Sequence, residues 1–188
     1  MYLWIGLGID NNSECKIRNY CKKINKNYNA GESAFTLPQH ISLKQSFKTD
    51  EYRSIIFDLK NYFKNIKQFE LKISDIRNIP GVIWLEIEEN EILRKFHNDI
   101  LNLLKDKYNV DKVGFDGETF KFHSTLFQDV DNKEIINNLY KAIDKKLLED
   151  NKLIANKAYF GLSEIGTVGT FKVIDEIEFE KNESCDED

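Results

Sequence analysis

The sequence predicts one compact unit of mixed strands and helices, organised as two similar halves. Three observations carry that expectation. Strand-like apolar runs alternate with amphipathic helical stretches along the chain. The pattern His-x-Ser/Thr-Leu occurs twice, as His40-Ile41-Ser42-Leu43 and His123-Ser124-Thr125-Leu126. A tryptophan precedes each copy at a similar distance: Trp4 lies 36 residues before His40, and Trp84 lies 39 before His123.

The totals agree with a folded chain. With 188 residues it can bury one good core or two small lobes sharing an interface, and it carries only 2 Pro and 9 Gly. The turn Ile79-Pro80-Gly81 places the lobe boundary, so lobe one covers about 1–79 and lobe two about 80–180. Residues 181–188 are polar and acidic and read as a frayed tail.

In chain order, Tyr2–Asp10 is apolar and too short for a convincing helix, which favours a buried strand. From Glu14 to about Asn27, Ile17, Tyr20, Cys21 and Ile24 recur at helical spacing. A loop with Gly31 and Pro38 leads to the strand His40–Phe47, in which Ile41, Leu43 and Phe47 fall on one face and His40, Ser42, Lys44 and Ser46 on the other. A helix striped by Ile55, Ile56, Leu59 and Phe63 follows, then a strand over 69–78.

The same order then returns. Val82–Ile87 reads as a strand, about Glu89 to Lys107 as a helix, Phe120–Phe127 as a strand, and about Asn132 to Glu149 as a helix. Two strands, about Leu153 to Ile165 and Phe171 to Phe179, close the chain. His97 stands among Glu91, Arg94 and Lys95 without the flanking pattern and reads as part of a solvated helix face.

A histidine and a hydroxyl two residues apart on a strand point the same way. Two imidazoles facing one another across a cleft form an acid-base pair, because a pKa of about 6.5 lets one ring be neutral while the other is protonated. In-line substitution at phosphorus needs that pair plus hydrogen-bond donors for the non-bridging oxygens, a role that suits Ser42 and Thr125. Strand parity adds Lys44, Lys121 and Phe127 as neighbours, and Trp4, Tyr2 or Trp84 could border the cleft, although core packing is the ordinary role of such rings. Metal catalysis and a serine triad are not indicated, since neither a His-Glu-x-x-His nor a nucleophile-elbow sequence is present.

With Leu37-Pro38-Gln39-His40-Ile41-Ser42-Leu43 and Phe122-His123-Ser124-Thr125-Leu126 in view, the chain resembles the two-histidine (2H) phosphoesterases, the superfamily of LigT-like or 2′-5′ RNA ligase proteins. The closing stretches Phe160-Gly161-Leu162-Ser163 and Gly169–Ile174 are also similar, so only the tail falls outside. The resemblance implies a bilobal duplicated α+β fold: two pseudo-symmetric antiparallel sheets, helices on the outside and a central cleft. It also implies cofactor-free, metal-independent cleavage of 2′-5′-linked or cyclic-phosphate nucleotides, with His40 and His123 as general base and acid in either order and Ser42 and Thr125 holding the phosphate. Where several RNA-processing relatives have Arg after the second motif, this chain has Gln128.

The expected activity is therefore a phosphodiesterase. RNA-end processing of 2′,3′-cyclic phosphates, 2′-5′ ligation, and non-catalytic nucleotide or RNA-end binding stand as alternatives. A formal net charge of -5 argues against a long duplex nucleic acid as partner and leaves a small nucleotide or short oligonucleotide. No apolar run reaches about 18 residues, so no membrane span is expected. A cytoplasmic monomer is the expected state, and loops 28–39 and 109–119 are expected to set specificity.

Overall fold

A computed structural model of the chain describes residues 1–144 and 151–181. In chain order the elements are β1 (Tyr2–Ile9), α1 (Asn11–Asn25), a 3-10 turn (Glu32–Phe35), β2 (His40–Lys48), α2 (Tyr52–Phe63), β3 (Phe69–Ile79), β4 (Val82–Ile87), α3 (Glu91–Tyr108), β5 (His123–Gln128), α4 (Lys133–Ala142), β6 (Lys152–Ser163) and β7 (Lys172–Glu178). The fold is α+β. The expected helix over about 132–149 is observed to Ala142; residues 145–150 lie outside the described residues, as does the tail from 182.

The strands differ from the expected pair of sheets in one respect: they form a single antiparallel sheet in the order β2-β1-β6-β3-β4-β5, with β7 added on β6. The reason is the long β3. Its Phe69–Lys72 segment pairs with β6, and from Ile73 onward it pairs with β4, so one strand joins what would otherwise be two sheets. The order is symmetric about the β6–β3 junction. On either side of it a Trp-bearing strand (β1, β4) is flanked by a motif strand (β2, β5).

The helices cover the sheet with apolar stripes, as predicted for α1 and α2; on α3 the expected Ile92 is exposed and Leu93 is buried in its place. Ile17 and Cys21 of α1, Ile55, Ile56, Leu59 and Phe63 of α2, Leu93, Phe96, Ile100 and Leu104 of α3, and Ile136 and Leu139 of α4 are buried in one continuous apolar core. Each fully buried side chain of this size contributes about 1.5–3 kcal/mol. α1 is capped by Asp10, whose carboxylate accepts the Ser13 N–H at 2.9 Å, and α3 by Asn90, which accepts from Leu93 at 2.9 Å. No helix among the described residues is long and apolar enough to cross a membrane.

The sheet curls until its two outermost strands meet. The Ser124 hydroxyl donates to the His40 carbonyl at 2.8 Å, while the Gln39 amide donates to Ser124 Oγ at 2.7 Å and to the Thr125 carbonyl at 2.8 Å. Three hydrogen bonds thus fasten the motif segments to each other.

Candidate active site

Each motif strand carries a bulge at the same place. On β2, Ser42 faces Gly6 and Lys44 faces Ile5, leaving Leu43 unmatched; on β5, Thr125 faces Trp84 and Phe127 faces Ile83, leaving Leu126 unmatched. The extra residue is the leucine that ends the motif in both cases. A bulge breaks two-residue parity beyond it. Before it, His and Ser/Thr share one face; after it, the predicted alternation fails.

One sequence expectation falls for that reason and a second is altered by a charge partner. Phe127 does not join His123 and Thr125; it is fully buried in the core and packs edge-on against Phe35 at 5.9 Å. Gln128 takes its place on the cavity wall. Lys44 reaches the cavity wall, but its ammonium is held by the Asp116 carboxylate at 2.5 Å with both side chains fully buried, so its charge is already neutralised. Burial pulls the Lys44 pKa down and Asp116 opposes that fall.

His40, Ser42, His123 and Thr125 come together on the wall of one cavity of about 330 Å³, with Trp4, Gln45, Gln128 and Phe171 around them. The histidines are held identically. His40 Nδ1 lies 2.7 Å from the carbonyl oxygen of Pro38, and His123 Nδ1 lies 2.8 Å from that of Lys121, two residues back in each case. A carbonyl only accepts, so Nδ1 carries the proton in both rings and Nε2 is the nitrogen left for a substrate.

Burial lowers both histidine pKa values. His40 falls to about 4, chiefly through desolvation and further through the charge of His123 and Arg18, with the Pro38 carbonyl and Glu14 acting the other way; His123 is lowered by desolvation, with the Lys121 carbonyl and the Glu86 carboxylate acting the other way. The mutual effect matters: a proton on His123 disfavours one on His40.

The tryptophans flank these rings. Trp4 stands edge-on to His40 at 4.3 Å, and its indole N–H donates to Ser42 Oγ at 3.0 Å. With that lone pair occupied, the Ser42 O–H remains to donate into the cavity. Trp84 stacks on His123 at 4.2 Å, and its buried indole N–H has no partner among the described residues. The remaining candidates lie elsewhere. Lys121 is exposed on a neighbouring cavity, and Tyr2 sits under Gly166, which has φ 80° and leaves no room for a Cβ above the Tyr2 ring. Tyr2 therefore shapes the 164–171 loop, whose Val168, Gly169 and Phe171 reach the site, rather than lining the site itself.

The sequence reading missed three supports. His97, expected on a solvated face, is fully buried: its Nδ1–H donates to the Leu43 carbonyl at 2.7 Å and its Nε2 accepts the Gly117 N–H at 2.8 Å. It thereby ties the β2 bulge to the 109–122 loop. Gln39 is buried between the motifs, and the Glu14–Arg18 pair of α1 holds the loop before them, Arg18 reaching the carbonyls of Phe35 and Leu37 and Glu14 accepting the Gln39 N–H. Helical spacing could have paired Glu14 with Arg18; nothing local marks His97 or Gln39 as buried. Among the described residues, no group of His, Cys, Asp and Glu could hold a metal ion.

Solved structures share this fold. E. coli LigT shares the fold at TM-score 0.57 with 11% identity, covering 95% of this chain and 96% of that one. A protein of Thermus thermophilus aligns at TM-score 0.63 with 14% identity over 95% of this chain and 97% of its own. E. coli LigT has also been solved with 3′-AMP, at TM-score 0.56 and 12% identity over 95% of this chain and 97% of that one. An alanine–tRNA ligase of Malacoplasma penetrans is 31% identical over 116 residues; the match covers 55% of this chain and only 12% of that much longer protein. The family model of the 2′-5′ RNA ligase superfamily matches residues 15–160, and the chain belongs to that superfamily, the 2H phosphoesterases.

Proposed function

We propose that this chain is a metal-independent phosphodiesterase that cleaves 2′-5′-linked or cyclic-phosphate nucleotides by two-histidine acid-base catalysis. The observation that carries the reading is the pair of identically oriented imidazoles on one cavity, each with Nε2 available and a hydroxyl beside it. His40 is the general base, because its low pKa keeps it neutral, and His123 is the general acid, because Glu86 supports its protonated form.

The steps balance. His40 Nε2 takes the proton of the attacking hydroxyl, from water or a ribose, as its oxygen bonds to phosphorus. His123 Nε2 gives its proton to the leaving oxygen as the opposite P–O bond breaks. The two histidines exchange protonation states, and the reverse exchange resets them. Ser42 and Thr125 donate to the non-bridging oxygens, stabilising charge where it develops. The anionic substrate itself helps keep His123 charged in a buried site.

The deciding experiment is a substrate panel of 2′-5′ dinucleotides, 2′,3′-cyclic mononucleotides, 3′,5′-cyclic nucleotides and RNA ends, each with and without chelator. Turnover of at least one diester, unchanged by chelator, is expected. Strict dependence on added metal would sink the reading; intact ligand after long incubation with excess protein would turn it toward a binding module.

A further inference from the structure

The proposed chemistry uses one cavity, but His123 and Thr125 also line a second one of about 510 Å³. The two share Gln45, Phe120 and Gln128 as well. The rest of the second wall is mostly apolar and aromatic, with Ile79, Val82, Trp84 and Phe115 beside Thr119 and the exposed Lys121.

Phe115 leaves 70% of its surface exposed, yet its loop is held from below by buried groups. Its neighbour Asp116 accepts from Lys44 Nζ at 2.5 Å, from the Gln45 N–H at 3.1 Å and from the Val113 N–H at 2.9 Å. The next residue, Gly117, donates to His97 and accepts from Arg94 at 2.8 Å, and Arg94 also reaches the Phe120 carbonyl at 3.1 Å. An exposed ring on so firmly tied a loop is a preorganised face, because little ordering remains to be done when a ligand meets it. Flat, sequence-tolerant stacking on such rings is how proteins hold nucleobases.

A 2′,3′-cyclic mononucleotide has one nucleoside, whereas a diester between two nucleosides has one on each side of phosphorus, so two adjoining cavities match the second. We propose that the second cavity is a nucleobase subsite with Phe115 as its stacking face, so that the preferred substrate is a dinucleotide or short oligonucleotide linkage rather than a cyclic mononucleotide. This rests on the phosphodiesterase reading above.

The test compares 2′-5′ diadenosine monophosphate with adenosine 2′,3′-cyclic phosphate on the full chain, using wild type, Phe115→Ala and Phe115→Tyr. For the dinucleotide, Phe115→Ala should raise KM about tenfold with little change in kcat, and Phe115→Tyr should restore it. Turnover of the cyclic mononucleotide should stay within about twofold of wild type, as expected for a group that touches only the second base. Unchanged dinucleotide KM, or equal losses on both substrates, would overturn the subsite and leave the phosphodiesterase reading intact. Calorimetric titration of the same two nucleotides separates the converse case: a Phe115-dependent preference for the dinucleotide without turnover would keep the subsite and remove the activity, whereas no such preference would remove the subsite.

Discussion

The two motif segments share a backbone and differ in what faces them. Both bulge at the motif leucine and both lock Nδ1 onto the carbonyl two residues back. Opposite His40, however, stands Gly8, and opposite His123 stands Glu86. The first tryptophan donates to its serine, while the second stacks on its histidine with its N–H unpartnered among the described residues. The bulge and the locked ring impose the same geometry twice, and the cross-strand neighbours give that geometry two electrostatic settings, a glycine opposite His40 and a carboxylate opposite His123. On the proposed reading, symmetry supplies the pair and its breaking supplies the division of labour.

The largest expected effect ignores the difference. His40→Ala and His123→Ala should each cost on the order of 10²–10⁴-fold in kcat, and the double variant little more than the worse single one, since the pair acts as a unit. Steady-state kinetics on the best diester checks this, and additive losses would show that the histidines act separately.

Ser42→Ala and Thr125→Ala should each cost about 10²-fold in kcat. They should part company in stability. Ser42→Ala leaves the Trp4 N–H without its acceptor and should destabilise by about 1–3 kcal/mol more than Thr125→Ala, read by denaturant unfolding.

The pH profile tests the division of labour. A base must be deprotonated and an acid protonated, so kcat/KM of the free enzyme should fall below about pH 4 as His40 gains a proton, and should fall again as pH rises through the lowered pKa of His123, below its usual 6.5. Glu86→Gln removes a charge that raises the His123 pKa, so the alkaline limb should move to lower pH while the acid limb stays. Movement of the acid limb instead would reverse the two roles.

The smallest contrast lies in the tryptophans. Trp4→Phe should cost about 1 kcal/mol by losing its bond to Ser42, and Trp84→Phe should be close to neutral because its N–H has no bond to lose among the described residues. Equal effects in thermal unfolding would erase that distinction.

Much of the site was legible because strand periodicity is local. His40 with Ser42, and His123 with Thr125, precede the bulges, and their alternation survives. Phe127 lies beyond its bulge, where one unmatched leucine inverts the parity on which its assignment rested; Lys44 still reaches the cavity wall, and what the strand pattern could not show is its neutralisation by Asp116, far along the chain. His97 was misjudged because its helix neighbours are charged, while its burial comes from β2 and from a loop that starts twelve positions later at Asn109.

By itself, then, the sequence determined the elements, the two motifs and the acid-base chemistry they allow, because those follow from the period of side chains along a strand or helix and from the nature of imidazole. Only the tertiary structure decided that one sheet curls to join its ends, that the leucines bulge, that Lys44 is neutralised by Asp116, and that Gly8 and Glu86 set the two histidines apart. Each of these depends on residues distant in the chain, and no local pattern encodes which of them will meet.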